Sequence, residues 1–307
     1  MEIITPSVST ETGVLKVVVL GLPDSLGPQP TLDETYDATS YQSVQKGIYP
    51  TESNVKREMD ALYNVLTRYN VQVLRPNLIQ DYNQIFARDV AFTIENKLFV
   101  ANMIEDRKRE TEAFASIFQK VDPNAIIHLP EGLHVEGGDV LLYGDYLFIG
   151  SCQEQDFKRY KTARTNKLAI EYFTSFFPDK KVIPLKLKKH DQDPSKSVLH
   201  LDCAFQPISK GRAVVYPNAF VDNEEYQLLE SIFGTENLFK VTDQEAQALT
   251  TNFVSLSPDT VITEERFERL NSFLCQEWGM KVETVPYHEI SKEGGLLRCS
   301  TCPLLRE

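Results

Sequence analysis

Apolar residues along the chain fall in short runs, paired about polar turns. AFTIENKLFVANM (91–103), DVLLYGDYLFIG (139–150), CAFQPISKGRAVVYP (203–217) and FVSLSPDTVIT (253–263) each set two apolar runs around a turn, the signature of a β-hairpin. A charged stretch with helical spacing follows each hairpin, at 105–120, 162–177, 222–234 and 264–279. A short strand candidate comes next in every case: AIIHL (125–129), KKVIPLKL (180–187), NLFKV (237–241) and KVETVP (281–286). The pattern predicts four strand-strand-helix-strand units at a spacing of roughly 50 residues. A fifth assembles only from both ends of the sequence: LLRCSTCPLL (296–305), VLKVVVLG (14–21), the helix TESNVKREMDALYNVLTRY (51–69) and the strand VQVLRP (71–76). The segment 22–50 has weak periodicity and many Pro, Gly, Ser and Thr, so it reads as a loop excursion of the kind that serves as a lid. No flexible linker interrupts the chain, and 1–307 is expected to be a single domain.

Charge narrows the partners. With 32 Lys and Arg against 44 Asp and Glu, the net charge of −12 argues against nucleic acid. No run of ~18 apolar residues is present, and the first residues, MEIITPSVSTETG, have neither the basic nor the apolar part of a secretion signal. Neither a membrane partner nor secretion is expected, and the cytoplasm is the expected compartment. Five cysteines, at 152, 203, 275, 299 and 302, read as free thiols rather than a disulfide framework.

Residues just before the first strand of each unit carry the chemistry: Arg88-Asp89, Glu136-Gly137-Gly138-Asp139, His200-Leu201-Asp202, Thr251-Asn252 and Arg298-Cys299. Five units about a pseudo-axis would bring these positions together. A nucleophile, a base, a group to orient it and carboxylates for a cation would then meet. Singly, each has an ordinary explanation: Arg88-Asp89 an exposed ion pair, EGGD a turn, His200 a core histidine. In series they point to a catalytic centre, with His200 and Asp202 on one face of a strand.

NQIFARD, HVEGGDV, ARTN, LHLDCAF and GGLLRCSTCPL, in this order over ~83–307, resemble the guanidino-group-modifying enzymes: arginine deiminases, dimethylargininases and arginine:glycine amidinotransferases. The resemblance implies a five-bladed α/β propeller of ββαβ units, with no metal and no organic cofactor. It implies that Cys299 attacks the guanidinium carbon, that His200 is acid and base, and that Glu136 orients it. Asp89 and Asp202 would bind the guanidinium through forked hydrogen bonds, Arg164 the substrate carboxylate, and Asn83 the amino-acid end. The partner implied is a small guanidino compound; a homodimer is an allowed assembly.

Cys299 and Cys302 form a CxxC, but neither a second CxxC nor a thioredoxin-like βαβ pattern accompanies it. Cys302 is therefore expected to pack beside the nucleophile, Cys152, Cys203 and Cys275 to be core residues, and Lys186, Lys188 and Lys189 to be a solvated edge. Three reactions fit: hydrolysis of arginine to citrulline and ammonia, hydrolysis of dimethylarginine, and amidino transfer to an amine. A decayed binding protein is the non-enzyme alternative. Chain length leans toward dimethylargininases. Asp202 leans toward an unsubstituted guanidinium, since dimethylargininases, by the resemblance, lack an acid there.

Overall fold

A computed structural model describes residues 3–307, and among them fifteen strands form five separate three-stranded sheets. Four are consecutive in sequence. The first contains β3 (Ala91–Ile94), β4 (Lys97–Val100) and β5 (Ile126–His128); the second β6 (Val140–Tyr143), β7 (Tyr146–Ser151) and β8 (Lys181–Lys186). The third contains β9 (Phe205–Ile208), β10 (Arg212–Val215) and β11 (Leu238–Lys240); the fourth β12 (Val254–Ser257), β13 (Thr260–Glu264) and β14 (Lys281–Val285). In the fifth, β1 (Leu15–Leu20) lies between β15 (Thr301–Arg306) and β2 (Gln72–Leu74). Every middle strand pairs antiparallel with the hairpin strand and parallel with the third. A parallel partner requires a crossover, and the helices supply it. They span Glu52–Arg68, Lys167–Phe176, Asn223–Phe233 and Glu268–Gln276 in four of the units.

The expected helix over 105–120 is broken. A 3-10 turn at Glu105–Arg107 is followed by two single-turn helices, Glu110–Ala113 and Ala115–Phe118. Local helix preference gives way here to a buried ion pair: Arg107 Nε and Nη2 donate to both Glu110 oxygens, at 2.7 and 2.9 Å. The 22–50 segment is likewise more ordered than its composition suggests. It carries a helix, Ala38–Gln45, whose first turn is capped by Asp37 accepting from the amides of Thr39 and Ser40. The helix buries Ala38, Ser40 and Ser43, residues too small and polar to write an apolar stripe.

Inner strands are buried on both faces. All four residues of β3 and of β9 are buried, so the period-two alternation of a half-exposed strand is absent. Phe205 packs edge to face on Phe148 and Phe233 between two neighbouring units, and elsewhere Phe173 meets Phe99 edge to face while Phe92 stacks on Phe99. The closing sheet is held by Val17, Val19, Cys302 and Leu304 in one apolar cluster. Leu304→Ala is therefore expected to lower the unfolding free energy in urea by about 2–5 kcal/mol. Leu228→Ala, at an exposed helix position, should cost under about 0.5 kcal/mol. Equal effects would show that the strand from the far end of the chain does not hold the closing sheet.

Candidate active site

Short irregular segments precede the first strand of each unit, and they are stitched into a ring. Arg88 N–H donates to the Cys299 carbonyl at 2.9 Å, and the amides of Arg298 and Cys299 both donate to Asn252 Oδ1, at 2.9 and 3.2 Å. Thr251 Oγ1 donates to the Asp202 carbonyl at 2.9 Å, and Leu201 N–H to Asp139 Oδ1 at 2.9 Å. Gly137 closes the circuit, packed so tightly on Arg88 that a Cβ there would lie 2.1 Å from the Arg88 carbonyl oxygen. A neighbouring Cβ at Gly138 would stand 2.6 Å from His200 Nδ1, so the EGGD turn leaves room for the imidazole. His200 and Asp202 are brought together by a 3-10 turn at Leu201–Cys203, not by the strand alternation expected of them.

Inside the ring are Asp89, Glu136, His200, Asp202 and Cys299, each no more than 2% exposed. His200 Nε2 lies 3.0 Å from Glu136 Oε2, and its Nδ1 faces Asp89 Oδ1 at 3.5 Å. Those last two atoms are buried and have no hydrogen-bond partner. Cys299 Sγ receives the side-chain N–H of Asn252 at 3.2 Å and stands 3.8 Å from Asp202 Oδ2. Asn252 is thus a member of the centre, and only its place before the fourth hairpin hinted at it.

Arginines balance the acids. Arg164 Nη1 donates to both oxygens of Glu136, at 3.0 and 2.7 Å, and its Nη2 to the Tyr36 carbonyl. Arg107 Nη1 donates to Asp89 Oδ2 at 2.7 Å. Arg298 bridges Asp202 (2.9 Å) and Glu11 (3.0 Å) and also reaches the Val140 carbonyl. Burial alone would raise the Glu136 carboxyl, but Arg164 and the His200 hydrogen bond outweigh it and hold it below the usual range. Burial alone would disfavour the imidazolium too, yet Asp89 and Glu136 lift the His200 pKa to about 9. Asp202 is pushed up by burial against the pull of Arg298.

Asn83 lies apart from this cluster, at a cavity of about 350 Å³ formed with the 22–50 segment. Its side chain donates to Glu293, which also accepts from Tyr49, and Arg107 and Glu110 complete that wall. Arg164 does not line this cavity; Arg107 does. Sequence reading missed Arg107, Glu293 and Glu11, and it placed Arg298 beside Cys299 without giving it a role. Arg107 sits in the charged run EDRKRETE, where nothing distinguishes it from solvated neighbours. Lys189, expected at a solvated edge, is buried and donates to the carbonyls of Val198 and Leu199, fixing the approach to His200. Cys275, expected in the core, is exposed because it lies on the outer face of its helix, and Cys152 is half-buried.

Two groups have the spacing of metal donors, Asp89 with Glu136 and His200, and Asp202 with Cys203 and Cys299. Both abut guanidinium groups that already neutralise the acids, an arrangement suited to a delocalised organic cation more than to a compact divalent ion. No helix among the described residues is long and apolar enough to cross a membrane.

Residues 28–306 match the family model described as N,N dimethylarginine dimethylhydrolase, eukaryotic. YkgA of Bacillus subtilis is 29% identical over 301 residues, 97% of this chain and 94% of that protein. An arginine deiminase of Mycoplasma capricolum is 29% identical over 201 residues, 56% of this chain and 47% of its own, so the chain matches about half of that enzyme. Among solved structures, the N-terminal domain of the cyanobacterial arginine dihydrolase ArgZ superposes with a TM-score of 0.75 at 20% identity, covering 94% of this chain and 97% of that one. The inosamine-phosphate amidinotransferase StrB1 of Streptomyces griseus gives 0.74 at 17%, covering 99% and 97%. At these identities the superpositions establish a shared fold.

The elevated His200 pKa has a consequence for stability. A group protonated more readily when folded contributes stability that is complete below its unfolded pKa of about 6.5 and is lost as pH rises through about 9. Glu136→Gln removes one source of the elevation. The decline in melting temperature between those pH values is expected to flatten in the variant, while the His200 ring titrates at lower pH by NMR. An unchanged decline would show that Glu136 does not hold the imidazolium.

Proposed function

The chain belongs to the N,N-dimethylarginine dimethylhydrolase family, within the guanidino-modifying superfamily; from that premise we propose that it hydrolyses a guanidino carbon–nitrogen bond through a covalent Cys299 adduct. The observation that carries the proposal is the convergence of Cys299, His200, Glu136, Asp89 and Asp202 from four of the five units within one buried ring.

A guanidinium in this ring is a planar cation whose N–H groups face Asp89 and Asp202. The free lone pairs on Asp89 Oδ1 and the nearness of Asp202 to the thiol set its carbon beside Cys299 Sγ. Asn252 and the bound cation both favour the thiolate. Sulfur adds to the carbon, and His200, held protonated, gives its proton to the leaving nitrogen. Ammonia or an amine departs and a thiouronium remains. His200, now neutral, takes a proton from water that attacks the same carbon; the thiolate leaves and a urea-type product is released. Glu136 keeps the ring oriented throughout and stabilises its charged form. No step requires a cofactor.

Arg107 is in position to meet a substrate carboxylate at the cavity wall, with Asn83 at the amino-acid end; Arg164, engaged by Glu136, would join only if that pair opened. The five sheets would form a single-domain, five-bladed propeller around the ring, with 22–50 as the cover of the cavity. A cytoplasmic enzyme working on a small molecule, alone or as a homodimer, fits the acidic chain.

Asp202 favours arginine-deiminase-like hydrolysis of an unsubstituted guanidinium. A dimethylated nitrogen offers no N–H, so the buried carboxylate, still paired with Arg298, loses the substrate's hydrogen bonds at a cost of about 1–3 kcal/mol or more. The family match favours a second reading, hydrolysis of dimethylarginine; amidino transfer is the third. Comparison of kcat/KM for arginine and asymmetric dimethylarginine decides between the first two. Arginine is expected to be preferred, with the preference reduced in Asp202→Asn. Faster turnover of dimethylarginine by the unaltered protein would overturn the first reading.

The nucleophile is tested separately. Cys299→Ser is expected to abolish turnover of every guanidino compound, while Cys302→Ser, at a thiol that donates to the Ala91 carbonyl, keeps most of it. The reverse result would reassign the nucleophile.

A further inference from the structure

Cys203 has no part in the proposed reaction, yet it stands in the ring. Its Sγ, the Sγ of Cys299 and a carboxylate oxygen of Asp202 lie within 4.8 Å of one another. Cys203 Sγ donates to Asp202 Oδ1 at 3.5 Å, and Cys299 Sγ is 4.0 and 3.8 Å from the two oxygens of the same carboxylate. A packing role accounts for one buried thiol, but not for two gathered over one carboxylate. Cys203 also lines a second cavity, of about 340 Å³, walled by Lys188, Tyr216 and Leu249, which shares no lining residue with the cavity at Arg107. The thiol pair is thus bordered on its Cys203 side by open space apart from the proposed substrate entry.

We propose that Cys203 and Cys299 are a modification site for hydroperoxides: oxidation joins them in a reversible disulfide that removes the nucleophile, with Asp202 relaying the proton. The Cys299 thiolate attacks one peroxide oxygen and the O–O bond breaks. Cys299 becomes a sulfenic acid, and the departing oxygen takes up a proton and leaves as water or an alcohol. Cys203 then passes its proton to Asp202, and its sulfur attacks the Cys299 sulfur. The S–O bond breaks, and the hydroxide collects the proton from Asp202 and leaves as water. Two thiols have lost two electrons and two protons, and one peroxide has been reduced. The sulfurs must approach to about 2.05 Å for this bond, a side-chain rotation from their present contact. Burial makes Cys203 a poor first target, since it and its neighbours hold the thiol well above its ordinary pKa, led by the contact with Cys299. Its part is that of the resolving cysteine. Cys302, the other cysteine of the CxxC, is turned to the Ala91 carbonyl and packs with Val17 and Val19.

The test is hydrogen peroxide titration of the full chain followed by intact-mass measurement and peptide mapping, in the native protein and in Cys203→Ser and Cys302→Ser. In the native protein and Cys302→Ser, the expected result is loss of two hydrogens' mass, a Cys203–Cys299 linked peptide, and recovery of both thiols with dithiothreitol. In Cys203→Ser, Cys299 is expected to advance to the sulfinic acid, which dithiothreitol does not reverse. Sulfinic acid at Cys299 of the native protein without a linked peptide would overturn the proposal. So would a link from Cys299 to Cys302. These readouts are masses, so they stand whether or not a substrate is turned over. Where turnover is measurable, it should fall and return with the disulfide in the native protein, and stay lost in oxidised Cys203→Ser.

Discussion

Ionised groups withdrawn from water are tolerable only when each has a partner, and this constraint governs the centre of the molecule. Glu136 is held by Arg164, Asp89 and Glu110 by Arg107, and Asp202 and Glu11 by Arg298. Such pairs contribute little net stability, because the Coulomb gain is offset by desolvation, but removal of one partner leaves an uncompensated charge and costs several kcal/mol. What the arrangement secures is geometry. Each carboxylate is fixed by a forked donor whose remaining N–H groups reach backbone carbonyls of another segment, as Arg298 reaches Val140 and Arg164 reaches Tyr36. The same side chains set protonation states: Glu136 stays ionised beside Arg164, and the imidazole between Glu136 and Asp89 stays charged.

The repeat was legible because each unit is written in local pattern: two apolar runs, a turn, a helix, a strand. The closing sheet was legible for the same reason once β15 was allowed to pair with β1. Cys299, His200, Glu136, Asp89 and Asp202 could be picked out because they occupy the same place in successive units, and repetition carries information that a single His or Cys does not. The ring hydrogen bonds follow from that placement, since a buried segment must satisfy its backbone groups across to its neighbour.

The pairing of arginines with the buried acids was not legible, and the reason is physical. Arg107 and Lys189 lie in charged stretches where exposure is the default, and what buries them is tertiary demand: Arg107 is drawn in by Asp89, Lys189 by carbonyls that lack strand partners. Glu11 is remote in sequence from Arg298. The helix at Ala38–Gln45 left no apolar stripe because its inner face is small and polar. Where the reading of Arg164 rested on resemblance, the side chain is found spent on Glu136 instead of lining the cavity, while Arg107 takes the wall.

The sheet that joins β1 to β15 also carries a temporal implication. Cys299 lies immediately before β15, so its thiol takes its place in the ring only when strands from the two far parts of the sequence have found each other. Contacts of such sequence separation form late, after the entropy of closing the intervening chain has been met. Four units can fold by local rules while the fifth is still open, and in that interval the acids and the histidine are present without the sulfur. On the proposed chemistry, with Cys299 as nucleophile, a chain whose closing sheet is still open lacks its attacking sulfur.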